Sequence, residues 1–330
     1  MEQLSPRLQM EATLRMLTLE VVRSSDMEGA VLDPEQVRMA LAQRLDIPNT
    51  PAQPVDRPVE WVVEIMLDAT QRYSAPLTEQ RLFGWHSSLF ATGQSGGRKI
   101  VVGAWRDNPV IDPLQVVSGP KSRQTIHYQA PHSYTIPTEI AAFLEWFNTS
   151  GVLDPYMAGA IAHLWFLTIH PFEDGNGRIA RTITAMQLAR ADESPLCFYS
   201  LSAQLHKERK AYFDMLEKTQ AGTLDITSWL EWFLQCLDRA FQETNHLLSG
   251  ILTRARFWEE NTGASFNERQ KKMLNRLFDG LDGRLTSSRW AKLTESSSDT
   301  AVRDINDLLK QGILSKDAGG GRSTSYSLRH

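Results

Sequence analysis

The chain has 330 residues, with 35 Lys and Arg against 39 Asp and Glu, so its formal net charge is −4 at pH 7. A balance so close to neutral makes no overall case for a nucleic-acid-binding or membrane-surface protein, and a charged N-terminus without a run of about eighteen apolar residues predicts neither a signal peptide nor a membrane partner. The length suits a core of about 200 residues followed by a smaller domain, in a cytoplasmic protein.

The N-terminal segment is predicted to form a helical arm. Between residues 8 and 25 apolar side chains recur at helical spacing, at Met10, Leu14, Leu17, Val21 and Val22. Gly29 stands where a helix C-cap is expected, and a spacing of four puts Ser24 and Glu28 on one side of the last turn. By itself this pattern is equally typical of a solvated helix end.

Residues 98–130 hold three short β-prone runs, KIVVGAW, LQVV and QTIHY, separated by turn residues. We predict an irregular hairpin over this segment. An ordinary surface hairpin gives the same pattern, so the runs alone assign no function.

A helix is predicted to lead to His170. Asp154 is a suitable N-cap, Pro155 suits the first helical position, and apolar residues follow at helical spacing. Because Pro171 disfavours helical geometry in the residue before it, the helix should end at His170. The imidazole is therefore expected at the mouth of a loop.

A second helix is predicted to start near Asn176, after a glycine-containing turn. Its free backbone N–H groups, approached past Gly175 and Gly177, form an anion site of the kind that phosphates occupy. Arg178 and Arg181 lie three residues apart in the first turn, where each cation opposes the helix macrodipole by roughly 0.3–1 kcal/mol. Two arginines at this position favour a polyphosphate that offsets the cost.

Two further side chains complete a site for nucleotide chemistry. Asp174 lies between the histidine and the glycine turn, where a carboxylate can hold Mg²⁺ against phosphate oxygens. His170, with an ordinary pKa of about 6.5, can accept a proton from an attacking hydroxyl. The combination indicates transfer of a nucleotide or phosphoryl group.

The whole segment HPFEDGNGRIAR, from His170 to Arg181, resembles the signature of Fic-domain proteins and matches each of its specified positions. The resemblance implies transfer of AMP from ATP, with Mg²⁺, to a hydroxyl of a target protein. It also implies a role for each residue, which we give in motif order: His170 as general base, Phe172 as loop anchor, Asp174 as Mg²⁺ ligand, Gly175, Asn176 and Gly177 around the phosphates, and Arg178 and Arg181 on the β- and γ-phosphates.

The same resemblance gives expectations for three other segments. In this family the hairpin is a flap that pairs with an extended target segment, and its candidate edge residues are Val116, Val117, Thr125, Ile126 and His127. Tyr212 is expected to stack on the adenine. Ser24, Glu28 and Gly29 resemble the inhibitory motif (S/T)-x-x-x-E-(G/N), with Glu28 reaching Arg181 in place of the γ-phosphate.

The C-terminal pattern resembles a winged helix-turn-helix. Helices are predicted over residues 267–278, 287–293 and 298–310, with a short strand at 284–286 and a hairpin from Ile313 to Leu328 around the turn GGGRSTS. Such a domain can place its third helix in the DNA major groove, but Asp299, Asp304 and Asp307 interrupt that helix. DNA binding, protein binding and homodimerisation all stay open here.

The expected fold is mainly α: a Fic-type helical core with a small β-hairpin flap and a C-terminal winged helix-turn-helix domain. The predicted divisions are an arm with a proline-rich connection over 1–58, a catalytic core over 59–245, a helical connector over 246–266 and the winged helix over 267–330. His163, Cys197 and Cys236 are interpreted as buried packing residues rather than metal ligands.

Protein adenylyltransferase activity, self-inhibited by Glu28, is the leading interpretation. Two alternatives remain: a nucleotide-sensing transcription regulator that uses the winged helix, and removal of AMP from modified proteins by the same site. The sequence does not identify the target protein or which of Ser, Thr and Tyr is modified.

Overall fold

The protein divides into two compact units, residues 1–244 and 245–330. The structure, a computed structural model, describes residues 6–48, 50, 52–119, 123–149, 151, 153–196, 198–261, 263–278, 281, 283–317 and 324–329. Among the described residues no helix is both long and apolar enough to cross a membrane. The finer divisions predicted at residues 58, 245 and 266 stay predictions.

The first unit is mainly helical. Its helices are α1 (Pro6–Met27), α2 (Pro34–Arg44), α3 (Arg57–Gln71), α4 (Glu79–Leu89), α5 (Ile136–Thr149), α6 (Pro155–Ile169), α7 (Asn176–Ala191), α8 (Leu201–Lys207), α9 (Arg209–Gln220) and α10 (Thr227–Glu260), whose last turns run into the second unit. The strands of this unit are β1 (Gln94–Ser95), β2 (Arg98–Lys99), β3 (Gln115–Ser118) and β4 (Thr125–Gln129).

Helix α6 begins and ends where the sequence predicts. The Asp154 carboxylate accepts hydrogen bonds from the backbone N–H groups of Tyr156 (3.0 Å) and Met157 (3.1 Å), which caps the first turn. His170 follows the last helical residue in the left-handed region, with φ 51° and ψ 58°. Gly175, also left-handed with φ 80°, is the N-cap of α7. The turn between the two helices is therefore bounded by a left-handed residue at each end.

Two apolar clusters hold the first unit together. One surrounds α6 and α7 and includes Phe143, Phe166 and Ile179, all fully buried. The other joins α1, α2 and α3 through residues such as Leu17 and Val63, and it extends to Ala185 of α7. The apolar stripe predicted for α1 is buried at four of its five positions and half-buried at Met10. Helix α1 is thus packed into the unit.

The predicted hairpin is confirmed in part. Strands β3 and β4 pair antiparallel with a bulge between Val116 and Val117. The prediction for KIVVGAW was wrong beyond its first residue, because only Lys99 lies in a strand, the two-residue β2 that pairs with β1. From Ile100 onward the segment leaves the strand: Trp105 packs against the cluster around α6 and α7, and Arg106 is buried.

The second unit has the predicted elements. Helices α11 (Glu268–Phe278), α12 (Ser287–Thr294) and α13 (Ser298–Lys310) precede the antiparallel pair of β5 (Leu314–Lys316) and β6 (Tyr326–Leu328). The predicted strand at 284–286 is reduced to one bridge between Leu285 and Tyr326. The predicted connector is the end of the long helix α10, and most of the turn GGGRSTS lies outside the described residues.

Candidate active site

The His170 side chain has the tautomer that a general base needs. Its Nδ1 lies 3.1 Å from the carbonyl oxygen of Leu167. Because a carbonyl oxygen can only accept, Nδ1 carries the proton and Nε2 keeps its lone pair. His170 follows the last residue of α6 with a left-handed backbone, and its ring donates back to the last turn of that helix.

Burial lowers the pKa of His170 to about 4, and the nearby Arg106 guanidinium acts in the same direction, against the hydrogen bond to Leu167 and the charge of Asp174. The imidazole is therefore neutral near pH 7. A neutral ring with a free Nε2 can accept a proton from a hydroxyl that reaches it.

The loop after His170 is held from inside the core. Phe172 is fully buried and stacks on His86, with ring centroids 4.1 Å apart and an interplanar angle of 10°. Asn176 closes the loop, because its Oδ1 accepts from the Phe172 N–H (3.0 Å) and its Nδ2 donates to the Phe172 carbonyl (2.8 Å). The predicted anchor role of Phe172 fits these contacts, whereas the Asn176 side chain is directed to the loop and not to a ligand.

Each glycine of the turn is required for a different structural reason. Gly175 has φ 80°, and a Cβ there would lie 2.7 Å from the Phe90 ring. A Cβ on Gly177 would collide with the Glu28 carboxylate, and would lie 3.3 Å from Arg181 Nη1. Gly177 thus leaves open the space above the start of α7, and a carboxylate occupies it.

Asp174 lies beside that space with its carboxylate fixed. One oxygen accepts from the Gly175 N–H at 2.6 Å, and the other accepts from the Ser95 hydroxyl. His86 Nδ1 accepts from the Gly103 N–H (3.1 Å), so its Nε2 carries the proton that faces the Asp174 carbonyl at 3.2 Å. Burial lowers the pKa of His86 to about 4, so this ring is a neutral hydrogen-bonding support.

The described residues contain no group of three or more His, Cys, Asp or Glu that could hold a metal ion by themselves. A single carboxylate at a phosphate site is nevertheless the donor set that Mg²⁺ uses when substrate phosphates and water supply its other ligands. Asp174 therefore fits a magnesium ion that arrives with a nucleotide.

Arg181 is the most completely bound cation of the site. Its side chain is 2% exposed; Nε donates to Ser24 Oγ (2.9 Å), and Nη2 donates to the Ser24 carbonyl (2.8 Å) and to Glu28 Oε1 (2.7 Å). Glu28 is 32% exposed and forms the solvent side of this ion pair. The contact between Glu28 and Arg181 that the sequence predicts is present.

Arg178 differs from Arg181 in its partners. Its guanidinium lies over the Phe90 ring, 4.9 Å from the centroid, and its buried Nε has no hydrogen-bond partner within the described residues. Burial lowers the pKa of Arg178, while Glu28 and Asp174 act in the opposite direction. An unsatisfied buried donor beside two carboxylates is consistent with a site that accepts an anion.

The structure corrects the prediction for Tyr212. The ring is 1% exposed, so neither face is open to a nucleobase. Its hydroxyl lies 2.8 Å from His163 Nε2, and His163 Nδ1 lies 2.9 Å from Thr184 Oγ1. Burial lowers the pKa of His163 to about 3, in agreement with the packing role expected for it. Cys236 is likewise buried, and Cys197 lies outside the described residues.

The flap residues are divided between exposed and bound positions. Thr125 is exposed, Val117 and Ile126 are 38% and 54% exposed, and Val116 is half-buried. His127 is already engaged, with Nε2 lying 2.6 Å from Ser118 Oγ and Nδ1 2.7 Å from Glu217 Oε2. Four of the five predicted residues therefore remain candidates for docking, whereas His127 holds the hairpin against α9.

Sequence reasoning missed three polar residues that support the site. They are His86 beneath the loop, Arg106 behind His170, and Glu20, whose buried carboxylate fixes α1 to Ser200 and Ser202. Glu20, Ser24 and Glu28 recur every four residues, which is the one signal that could have identified Glu20. His86 and Arg106 show no such signal, because the residues of the loop that they support, Asp174 and His170, lie more than 60 positions away.

Two family models match parts of this chain. The model of the Fic/DOC family matches residues 76–188, and that of a domain of unknown function, DUF4172, matches residues 1–47. A protein from Culex quinquefasciatus named "Protein adenylyltransferase Fic" is 27% identical over 171 residues, which are 49% of this chain and 32% of that protein. A Drosophila melanogaster protein of the same name is 27% identical over 135 residues, 39% of this chain and 25% of that protein. The chain thus spans about a third or less of these relatives.

Two solved structures share the fold. A Fic family protein from Desulfovibrio desulfuricans G20 has a TM-score of 0.52 at 21% identity, covering 99% of this chain and 89% of that one. A Fic domain containing signaling protein from Bacteroides thetaiotaomicron VPI-5482 has a TM-score of 0.54 at 21% identity, covering 76% and 92%. The chain is a mainly helical protein in which a short loop joins α6 to α7. Residues 76–188 are a Fic domain of the Fic/DOC family.

Proposed function

We propose that this protein transfers AMP from ATP to a hydroxyl side chain of a target protein. The single observation that carries the proposal is the loop between α6 and α7. It has a neutral base with a free Nε2 at its start and, at its end, a helix N-terminus where the Glu28 carboxylate lies over Gly177 and pairs with Arg181. The names of the Culex and Drosophila relatives support the reaction type.

In the proposed reaction the target hydroxyl oxygen bonds to the α-phosphorus of ATP, and the bond between the α- and β-phosphates breaks. His170 Nε2 takes the hydroxyl proton as the new bond forms, because its lone pair is free. Pyrophosphate leaves with the electrons of the broken bond. Arg178, Arg181 and the backbone N–H groups at the start of α7 stabilise the charge on the phosphates.

Asp174 is the residue that we expect to hold Mg²⁺ in this reaction. A magnesium ion held there would neutralise part of the charge on the phosphates. The hydrogen bonds from Ser95 and Gly175 fix the carboxylate before a nucleotide arrives, so that it needs no reorientation.

Glu28 is proposed to inhibit the reaction. Its carboxylate lies above Gly177 and pairs with Arg181, which is the position and the partner that a terminal phosphate would take. A negative charge there repels the triphosphate and displaces it from the reactive geometry. Ser24 binds the same guanidinium, so the last turn of α1 and the residue that follows it both hold Arg181.

The target is proposed to dock along the flap. Val117 and Ile126 offer exposed apolar side chains, and an extended segment could add to the hairpin by main-chain pairing. A cytoplasmic location, where ATP is available, remains part of this proposal.

Two experiments separate the leading reaction from its alternatives. Wild type and Glu28→Gly are each incubated with Mg²⁺ and ATP, and a gain of one AMP on protein in mass spectra supports transfer. The same two proteins are then given a pre-modified chain without ATP, in which release of AMP from wild type supports de-AMPylation. Nucleotide binding without either reaction would favour the nucleotide-sensing regulator.

A second function is proposed for residues 245–330, as a winged helix-turn-helix that binds duplex DNA. This segment has 14 Lys and Arg against 10 Asp and Glu, a net charge of +4, whereas the residues before it have 21 against 29. Two of the three acidic residues of α13 are already paired or hydrogen-bonded, whereas Asp299 is exposed. Asp304 is buried and paired with Arg269, and Asp307 accepts from Gln270 and Gln311.

The exposed face of α13 suits the DNA groove. Arg303, Asn306 and Lys310 are exposed and recur at helical spacing, so they share one side of the helix. The test is duplex binding at low salt by the full chain, by a chain truncated at Asn267 and by Arg303→Ala/Lys310→Ala. Equal binding by all three would reject DNA and leave a protein partner or homodimer, which light scattering of the full and truncated chains distinguishes.

A further inference from the structure

Three hydrogen bonds join the flap segment, residues 98–130, to the end of α6 and to the two residues that follow it. The Tyr128 hydroxyl donates to the Thr168 carbonyl (2.6 Å), Arg106 Nε donates to the His170 carbonyl (2.7 Å), and the Arg106 N–H donates to the Pro171 carbonyl (3.0 Å). The backbone of the base is thus held from the flap side, while its ring is held by Leu167 of its own helix.

Arg106 makes two of these three contacts and is itself deeply buried, at 2% exposure. Its other two terminal nitrogens also have acceptors: Nη2 donates to the Pro131 carbonyl and Nη1 to Asn108 Oδ1, each at 2.6 Å. Pro131 directly follows the hairpin, so one guanidinium joins the start of the flap, its end and the residue that carries the base. Only the planar fork of arginine offers donors in three such directions.

Neutral groups accept all three of these side-chain hydrogen bonds. A buried cation without a carboxylate among these partners is an expensive choice for packing alone. The conformation of His170 indicates a role for this buried arginine. With φ 51° His170 lies in the left-handed region, which a residue with a Cβ rarely adopts unless its surroundings hold it there. The hydrogen bond from Arg106 fixes the carbonyl of that strained residue.

We propose that Arg106 is a positioning residue that holds His170 in the left-handed conformation and thereby keeps Nδ1 on the Leu167 carbonyl and Nε2 free, with the flap as its support. The inference rests on the proposed function in taking His170 as the base. It makes the flap a part of the catalytic geometry, since the side chain that closes the flap at Pro131 also sets the backbone of the base.

The first test is independent of catalysis. In the full chain labelled with ¹⁵N-histidine, the imidazole signals of His170 are assigned by comparison with His170→Ala, and the tautomer is read from the two nitrogen shifts near neutral pH. Wild type should show Nδ1 protonated. In Arg106→Gln the signal should become that of a mixture of tautomers, because the ring loses its fixed orientation.

The second test is kinetic and uses the Glu28→Gly background. Arg106→Gln should lower kcat for AMP transfer by about 100-fold, the order expected for a misplacement of about 1 Å, and change the KM for ATP by less than about threefold. Arg106→Lys, which keeps the charge but lacks the fork, should fall between Arg106→Gln and the parent in both tests. Arg106→Lys replaces Arg106→Gln in both tests if Arg106→Gln does not fold.

Arg190 provides a matched control. It also donates to three backbone carbonyls, those of Tyr73 (2.8 Å), Phe147 (3.1 Å) and Ala75 (3.2 Å), but lies at the far end of α7 from the loop. Arg190→Gln should reduce the melting temperature and leave both the tautomer and kcat unchanged.

The outcomes separate the two proposals. An unchanged His170 tautomer in folded Arg106→Gln or Arg106→Lys overturns the role of Arg106, and so does an equal loss of kcat in Arg190→Gln. A changed tautomer in protein that shows no AMP transfer in the Glu28→Gly background supports the role of Arg106 and overturns the proposed reaction alone.

Discussion

Two ion pairs of this protein differ in which partner is buried, the cation or the carboxylate. At the active site the cation is buried and the carboxylate is partly open, since Arg181 is 2% and Glu28 32% exposed. In the C-terminal unit the carboxylate is buried and the cation is open, since Asp304 is 6% and Arg269 41% exposed. Each pair has one partner fixed in the interior and one that faces solvent.

The difference lies in what else binds the buried member. Asp304 also accepts from Asn267 at 2.9 Å within the same unit, so its pair belongs to a local packing network. Arg181 takes its acceptors from Ser24 of α1 and from Glu28, which directly follows that helix, both more than 150 positions away. In the proposed function an anionic ligand takes the place of its carboxylate partner. On that proposal, the pair with an exposed, exchangeable carboxylate serves regulation, whereas the pair in a local packing network serves stability.

The largest expected effect lies outside both pairs. His170→Ala should reduce AMP transfer by a factor of about 10²–10⁴, the range for loss of a general base, and should leave ATP affinity nearly unchanged because the phosphates are held elsewhere. Labelled-ATP incorporation and calorimetric titration on the same variant measure the two quantities, with His206→Ala of α8 as a histidine control. Transfer at the wild-type rate would remove His170 from the mechanism.

Removal of Glu28 should break the active-site ion pair and increase AMP transfer. Glu28→Gly should raise transfer by roughly 100-fold, since it restores the triphosphate position, and it should also raise ATP affinity by removing a negative charge. AMP incorporation is compared among wild type, Glu28→Gly and Glu28→Gly/Arg181→Ala. Asp26→Gly is the control for backbone freedom, because that carboxylate pairs with Arg23 instead. Equal incorporation by wild type and Glu28→Gly would leave the pair a structural contact.

Removal of Arg269 from the ion pair of the C-terminal unit should only lower the stability of that unit. Arg269→Ala leaves the buried Asp304 with fewer donors, and we expect a decrease of about 1–3 kcal/mol in the free energy of unfolding of that unit. Hydrogen exchange of α13 amides measures it, with the exposed Lys272→Ala of the same helix as control. A gain of AMP transfer in Arg269→Ala would contradict the division between regulatory and structural pairs.

The smallest expected effect is that of pH on the Glu28→Gly protein. Burial lowers the pKa of His170 to about 4, so the base stays neutral above that value and loses function only as the pH falls through it. The kcat for transfer should therefore be nearly flat between about pH 6 and about pH 8 and should not decline near the ordinary histidine pKa of about 6.5. A midpoint near 6.5 would mean that the ring is more open to water than the structure has it.

The sequence by itself determined the local chemistry of the site. Asp154 and Pro155 start α6, Pro171 ends it, and the glycine turn starts α7, because capping and backbone restrictions act between residues close in the chain. For the same reason the helices of the C-terminal unit lie close to their predicted bounds. The spacing of Ser24 and Glu28 is local too, which is how their common side could be predicted.

Only the tertiary structure decided which distant groups meet at that site. The clamp of Arg106 on His170 and the stacking of His86 on Phe172 join residues more than 60 positions apart, and no periodicity in the chain encodes such contacts. Tyr212 shows the reverse case, because an aromatic residue suited to stacking is buried by the packing of α9 against His163. Burial depends on how helices far apart in the chain pack together, so the lowered pKa of His170, the enclosure of Arg181 and the closed face of Tyr212 arise only after the unit has folded.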